Sequence, residues 1–305
     1  MAIPRLRAFR GRLVYLAVSA LGVMFRLLPL PIARGIGVSI AVVMSPLFRR
    51  DLRRADANLA AAYPEWPKGK RRATIRALCR HMGTSFAEFL WMPRVDLDKT
   101  TIYEGKEFIT ERKGGMIAIT AHSGNWEWAA RAIGAIATTT TMQRGRDEED
   151  LNRLITTMRA KSNVRAVDRG STAGNRELIR ALRDGNLIAF LVDQNIRAES
   201  VKVPFFGRPA LTPIGPAKLA IRTGVPVVLV FDERRGDKHI IRILPPIETS
   251  RDDDPIALTA RITAVIEEEI RRKPEHWVWF HDRWRERPKW DIGEQVAASG
   301  EQEKP

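Results

Sequence analysis

Short apolar runs alternate with helical patterns over residues 116–281, and this alternation limits the fold more than any other feature. The apolar runs are strand-like, and in the segments between them apolar residues recur every three or four positions. We predict strands at residues 116–120, 136–142, 164–167, 187–192, 225–231, 240–244 and 277–281, and helices at 126–133, 147–161, 175–183, 213–223 and 255–272. The alternation predicts a single α/β domain with a mixed, mostly parallel central sheet flanked by helices.

Residues 1–54 differ in composition from the rest of the chain. Two uncharged apolar runs, residues 13–25 and 35–48, lie between groups of arginines, and neither reaches the ~20 residues of an ordinary spanning helix. A helical segment held in the cytoplasmic leaflet fits best, with a spanning helix and a cleaved signal peptide as the alternatives. We therefore predict a membrane anchor over residues 1–54, an α/β domain over 55–290 and a disordered polar tail over 291–305.

The formal net charge of +15 indicates an anionic partner. Nucleic acid, acidic lipid head groups and an acidic carrier protein all qualify. The sequence has no RNA-recognition or zinc-finger spacing, and its basic residues are spread along the chain, so we predict no nucleic-acid partner. The one cysteine, Cys79, excludes an intrachain disulfide and a cysteine zinc cluster.

His122 and Glu127 are the strongest candidates for chemistry. The histidine follows the strand predicted at 116–120, and the carboxylate lies in the first turn of the next helix. Ligands bind at this edge of an open α/β sheet, and an imidazole can take a proton from a hydroxyl at neutral pH. A nearby carboxylate would fix its tautomer. The alternative interpretation is a helix-capping histidine with a glutamate favoured by the helix dipole.

Other chemistries lack their patterns. Ser123 is not in a Gly-x-Ser-x-Gly turn, and Gly35-Ile-Gly37 lacks the third glycine of a dinucleotide motif. His276 and His281 would face opposite ways in a strand, which makes them poor co-ligands. The isolated residues His81 and His239 are expected to face solvent. We predict no metal and no cofactor.

The spacing His122-x-x-x-x-Glu127 after a strand resembles the signature of the lysophospholipid-acyltransferase superfamily. The flanking sequence is similar to its lipid A late-acyltransferase branch of lauroyl and myristoyl transferases. Besides the apolar start, the segments that carry this resemblance are residues 27–31, 53–59, 63–64, 143–144, 158–163, 193–194, 203–210 and 277–288. They occur in one order along nearly the whole chain.

The resemblance implies transfer of a fatty acyl chain from acyl carrier protein to a hydroxyl of a lipid A precursor, a phosphorylated glycolipid. The enzyme would lie at the bacterial inner membrane with its catalytic domain on the cytoplasmic side. His122 would be the general base and Glu127 its orienting group. Arg144 and Arg159 would bind the acceptor.

Asp193 and Gln194 end a predicted strand at the same sheet edge, and we predict that they too bind substrate. They stand where glycerophosphate acyltransferases carry a Glu-Gly-Thr-Arg-like motif, and this departure favours the lipid A branch. Two alternatives stay open. One is a lysophospholipid or other glycolipid acceptor, and the other is a non-enzymatic, basic membrane- or RNA-binding protein.

Overall fold

The computed structural model of the chain describes residues 2–143, 163–168 and 172–286. Its helices are α1 (Ala2–Leu27), α2 (Leu30–Met44), α3 (Arg49–Ala62), α4 (Lys68–Trp91), α5 (Leu97–Thr100), α6 (Glu107–Thr110), α7 (Trp126–Ile136), α8 (Thr172–Arg183), α9 (Gly215–Thr223) and α10 (Pro255–Arg272). Its strands are β1 (Thr101–Glu104), β2 (Met116–Thr120), β3 (Thr139–Gln143), β4 (Val164–Asp168), β5 (Leu187–Leu191), β6 (Ser200–Phe205), β7 (Arg208–Pro213), β8 (Val227–Arg235) and β9 (Lys238–Ile243). Short 3₁₀ turns occur at Ser45–Phe48, Met92–Arg94 and Pro274–His276.

The strands form a mixed, mostly parallel sheet flanked by helices, which confirms the predicted fold class. The strand order is β1-β9-β8-β2-β5-β3-β4, with β6 and β7 in a separate antiparallel hairpin. Strands β8, β2, β5, β3 and β4 are parallel, whereas β9 runs antiparallel to β8. The carboxyl ends of β2, β3 and β5 therefore lie at one edge of the sheet, where α/β proteins bind ligands.

Strand β2 is the centre of the core. Ile117 and Ile119 pack with α10 on one face of the sheet, and Ala118 packs with α7 on the other. Successive side chains of a strand point to opposite faces, so a strand covered by helices on both faces must be apolar throughout. This explains why the run 116–120 has no alternation of polar residues and why its prediction as a strand matches the observed bounds.

One predicted strand is wrong. Residues 277–281 form no strand, although Trp277 and Trp279 are both buried and alternate with a more exposed residue. The backbone N–H of Trp279 donates to the carbonyl oxygen of Trp277, two residues earlier, and so tight a turn is incompatible with an extended chain. Only a single bridge, between Ser123 and Trp277, remains. Strand β1 and the β6–β7 hairpin were not predicted, and the helix predicted at 147–161 and the tail 291–305 lie outside the described residues.

Helices α1 and α2 pack on α4. Phe25, Ala33, Ala87 and Leu90 form a small apolar cluster between them. By length and composition alone, one helical run in the described part of the chain, Leu30–Ala62, is apolar enough to cross a membrane. This run contains α2 and α3, so the predicted boundary after residue 54 falls within a helix.

Candidate active site

His122 lies on the turn between β2 and α7, at the carboxyl edge of the sheet. Its Nδ1 lies 2.9 Å from Oδ1 of Asp193, which follows β5. Its backbone N–H donates to Oδ2 of the same carboxylate at 3.0 Å. Since β2 and β5 are adjacent and parallel, the sheet itself brings the two residues together. A carboxylate can only accept, so Nδ1 carries a proton and the neutral ring has its lone pair on Nε2.

Asp193 is held from a second side. Its side chain is 0% exposed, and the indole Nε1 of Trp277 donates to its Oδ2 at 2.7 Å. Burial alone would raise the pKa of Asp193, but the charge and hydrogen bond of His122 and the Trp277 bond lower that pKa to about 2. The carboxylate is therefore ionised at neutral pH and engaged by the histidine and the indole.

The pKa of His122 is raised above its ordinary value. Burial works against the charged ring, but the charge and hydrogen bond of Asp193 outweigh it, and the charge of Glu127 adds to their effect. The His122 side chain remains 25% exposed. The ring thus combines an oriented base with access from solvent.

The turn after His122 requires a glycine. Gly124 has a φ of +64°, and a Cβ at this position would collide with the carbonyl oxygen of Asp232. Asn125 then caps α7, because its side-chain oxygen accepts from the N–H of Trp128 at 3.1 Å. The backbone N–H of Asn125 donates to Oδ2 of Asp232 at 2.8 Å. Strand β8 therefore fixes the conformation of this turn through Asp232.

Glu127 lies in the first turn of α7 and is partly buried. Together with Trp126 it lines an apolar cavity between α7 and the sheet. The other lining residues are Ala118, Ile119, Thr120, Ala129, Ala130, Ile133, Thr139, Thr141, Val164, Ala189, Leu191 and Val230. The Trp126 ring meets the His122 ring edge to face, with 5.2 Å between centroids. The cavity, about 70 Å³ in volume and mostly apolar, therefore begins beside the tryptophan that contacts the histidine.

The structure brings together three of the predicted site residues, His122, Glu127 and Asp193. Gln194 follows Asp193 and is partly exposed. Arg144 and Arg159 lie outside the described residues, although β3 ends at Gln143, on the same sheet edge as His122. The sequence pattern pairs the imidazole with Glu127 and predicts that Asp193 binds substrate, whereas in the structure the carboxylate hydrogen-bonded to Nδ1 is that of Asp193.

The expectation that His81 and His239 face solvent is wrong. Both are buried, at 6% and 0% exposure. Nε2 of His81 lies 3.1 Å from the carbonyl oxygen of Gly124, and Nδ1 of His239 lies 2.6 Å from Oδ1 of Asp232. Sequence reasoning missed them because their partners are distant in the chain. No group of three or more His, Cys, Asp or Glu within the described ranges is arranged to hold a metal.

The fold and the site define the class: an α/β protein with a histidine–carboxylate pair at the carboxyl edge of its sheet, next to an apolar cavity. The family model described as bacterial lipid A biosynthesis acyltransferase matches residues 4–286. The chain therefore belongs to the bacterial lipid A biosynthesis acyltransferase family.

Individual relatives agree with this assignment. The chain is 29% identical to a lipid A biosynthesis acyltransferase of Haemophilus influenzae, over 86% of each chain. It is 26% identical to the lipid A biosynthesis lauroyltransferase of Escherichia coli, over 90% of this chain and 92% of that one. A phosphatidylinositol mannoside acyltransferase of Mycolicibacterium smegmatis is 28% identical over 56% of this chain and 57% of its own length.

Proposed function

We propose that this protein moves a fatty acyl chain from acyl carrier protein to a hydroxyl of a hydroxyacyl chain on a lipid A precursor. The observation that carries the proposal is the 2.9 Å contact between His122 Nδ1 and the buried Asp193. This contact leaves Nε2 as the basic atom of a partly exposed ring beside an apolar cavity. Family membership supports the reaction class, and the geometry of the pair supports His122 as the base of the proposed reaction.

The proposed reaction needs no covalent enzyme intermediate. Nε2 of His122 takes the proton of the acceptor hydroxyl as its oxygen attacks the thioester carbonyl carbon. The tetrahedral intermediate collapses, the carbon–sulfur bond breaks, and the thiolate of the carrier takes the proton back from the imidazolium. A positioned base of this kind contributes roughly 10²–10⁴-fold to the rate.

Two carboxylates support the imidazolium in this proposal, in different ways. Asp193 fixes the tautomer through its hydrogen bond, the role that the sequence analysis gave to Glu127. Glu127 adds a second negative charge near the ring and lines the cavity. A few methylenes of the donor's acyl chain enter that cavity in this mechanism, since most of its wall is alanine, isoleucine, leucine and valine.

The proposed acceptor site combines a residue that the structure describes with two that lie outside the described ranges. Arg144 and Arg159 would bind an acceptor phosphate, because a guanidinium fork matches phosphate geometry, and Gln194 would contact the substrate near the base. A different glycolipid acceptor is the second candidate. It is favoured by the partial similarity to a phosphatidylinositol mannoside acyltransferase.

We also propose that the protein is bound to the inner membrane, with the catalytic domain on the cytoplasmic side. The candidate spanning window is only 17% buried within the protein, so its apolar surface needs another partner. Arginines precede and follow it, and both basic flanks are retained on the cytoplasmic side, as expected of a helical segment held in the cytoplasmic leaflet. The same basic charge suits an acidic carrier protein.

The test is acyl transfer by the full-length protein in detergent, with a fatty acyl carrier protein as donor and a lipid A precursor as acceptor. We expect His122→Ala to lower kcat on the order of 10²–10⁴-fold. Asp193→Asn should approach that loss because the ring then samples the wrong tautomer, and Glu127→Gln should lose less. Ser123→Ala, the control for a serine nucleophile, should retain activity.

The same assay separates the acceptor site from the base. Arg144→Ala should raise the KM for the phosphorylated acceptor about 10- to 100-fold, the equivalent of roughly 1.5–3 kcal/mol for a charge-assisted bond, without changing the donor KM. Full transfer by a folded His122→Ala protein would refute the proposed base. Transfer to a different glycolipid alone would leave the base in place and change the acceptor.

A further inference from the structure

A cluster of five buried or nearly buried ionic side chains lies behind the catalytic turn. We call it the Glu88 cluster, and its members are Arg34, Glu88, Asp232, Arg234 and His239. They come from α2, α4, β8 and β9. The proposed reaction uses none of them, yet burying so many charges is strongly unfavourable unless each is paired.

Glu88 is the centre of the cluster and is 0% exposed. Its Oε1 accepts from Nε of Arg34 at 2.9 Å and from Nε of Arg234 at 2.8 Å. Nη2 of Arg234 donates to Oε2 at 2.5 Å, and Nε2 of His239 lies 3.3 Å from Oε1. Burial raises the pKa of Glu88, but these donors and cations hold it well below its ordinary value. Glu88 is therefore an anion at neutral pH.

Glu88 and the second carboxylate, Asp232, both accept hydrogen bonds from Asn125. Oε2 of Glu88 accepts from the side-chain amide of Asn125 at 2.8 Å, and Oδ2 of Asp232 accepts from the Asn125 backbone N–H at 2.8 Å. His239 lies between the two carboxylates and stacks on Trp128 with 3.8 Å between ring centroids. Two buried anions thus hold Asn125, the residue that caps α7.

Asn125 lies between the two site residues in the chain. It follows His122 by three residues and precedes Glu127 by two, so a displacement of Asn125 is passed on to the turn that carries them. A misplacement of about 1 Å at a reacting group can cost about 10²-fold in rate.

Polar groups beside the Glu88 cluster face the same turn. Arg234 also lies against the neutral His81, whose Nε2 contacts the Gly124 carbonyl oxygen. His276 stacks on His81 with 4.3 Å between ring centroids. The N–H of Gly124 donates to the His276 carbonyl oxygen. These contacts hold Gly124, whereas Asn125 is held by Glu88 and Asp232.

We propose that Glu88 is a positioning residue for acyl transfer, which acts through Asn125 to hold the turn that carries His122, and that Arg34 makes the apolar helix α2 part of the same support. This inference rests on the proposed function. It assigns a role in catalysis to a residue of α4 that touches neither the base nor the apolar cavity.

The decisive variant is Asn125→Ser in the full-length protein in detergent. Serine still caps α7 but lacks the amide that donates to Glu88. We expect kcat to fall about 10- to 100-fold, with the KM of each substrate changed less than about threefold. Glu88→Gln should give a similar loss, and the double variant should be no slower than the slower single one, because both changes break one connection. Arg34→Gln should show a smaller kcat loss in the same direction.

Glu269→Gln is the matched control, because Glu269 pairs with Arg242 at 2.6 Å in a nearly buried site away from the turn. It should lower the melting temperature and leave kcat unchanged. If Glu88→Gln fails to fold, Asn125→Ser decides alone. A folded Asn125→Ser protein with wild-type kcat, or additive losses in the double variant, would overturn the inference.

A second readout keeps this inference separate from the proposed function. Backbone amide hydrogen exchange in the first turn of α7 should become faster in Asn125→Ser and stay unchanged in α10. If the wild-type protein transfers no acyl chain at all, the proposed function fails. Faster exchange at α7 would then still support the connection from Glu88 to the turn, and unchanged exchange would refute that connection too.

Discussion

The two carboxylates near His122 differ in their surroundings, and this difference separates their roles. Asp193 is fully buried and hydrogen-bonded to Nδ1, whereas Glu127 is partly exposed and lines the cavity. Both favour the imidazolium and so raise the pKa of His122, with Asp193 the larger cause of the two. A base that is active only when neutral therefore reaches full activity above the ordinary histidine pKa of about 6.5.

This predicts the pH dependence of kcat/KM. In the wild type, kcat/KM should rise with pH and level off above the pKa of His122. Removing a negative neighbour disfavours the imidazolium, so the pKa falls and the rising limb moves to lower pH. We expect a larger displacement for Asp193→Asn than for Glu127→Gln, measured from pH 5 to 9. A limb that stays in place in both variants would show that another group controls it.

At the scale of secondary-structure elements, the contact between α2 and α4 brings the backbones of two helices close together at Gly37 and Gly83. A Cβ added to Gly37 would collide with the backbone carbonyl oxygen of Gly83, and one added to Gly83 would collide with that of Gly37. The second glycine of Gly35-Ile-Gly37 is therefore required by the packing of α2 on α4. The contact also fixes Arg34 beside Glu88, because both helices are then held in one register.

Gly37→Ala should therefore lower stability, by about 1–3 kcal/mol, because the helices must separate to admit the methyl group. Gly35→Ala is the matched control on the same helix. Its added Cβ meets nothing within 4 Å, so alanine should stabilise α2 by roughly 0.5–1 kcal/mol. Melting temperatures of the two variants in one detergent should move in opposite directions, and equal shifts would contradict the packing argument.

At the scale of the whole molecule, the apolar surface is concentrated in the N-terminal helices. The exposed side chains of Leu27, Val43 and Leu47 show 77%, 74% and 72% of their surface. The net charge of +15 adds attraction to an anionic membrane. The two contributions respond differently to salt, since about 1 M salt reduces the Debye length to about 3 Å and leaves apolar burial intact.

We predict that the full-length protein sediments with membranes, remains there after a wash with 1 M salt, and is released by detergent. The double substitution of Val43→Asp with Leu47→Asp should weaken attachment without lowering the melting temperature, because both side chains point away from the protein. Release of the wild type by salt alone would show that charge, and not the apolar helices, holds it. A freely soluble, monodisperse wild type would refute the anchor.

The sequence by itself determined the features that depend on local pattern. Residues 116–119 are all apolar because helices cover both faces of β2, and α10 begins at an aspartate cap and ends among arginines. Both elements were therefore predicted with the observed bounds. The position of His122 at the end of β2 follows from the same pattern. The parallel sheet then places the end of β5, and with it Asp193, at the same edge.

Only the tertiary structure decided which groups meet at that edge. Asp193 is 71 residues from His122 in the chain, and the direction of its side chain depends on the burial of Trp277 beside it. Trp277 and Trp279 alternate with less buried residues, as in a strand, but both fill the core beneath the catalytic turn. His81 and His239 carry no local signal because their partners come from other elements. The spacing of residues along the chain shows the period of a single helix or strand. The partners of a buried charged group come from other elements, and only the fold brings them together.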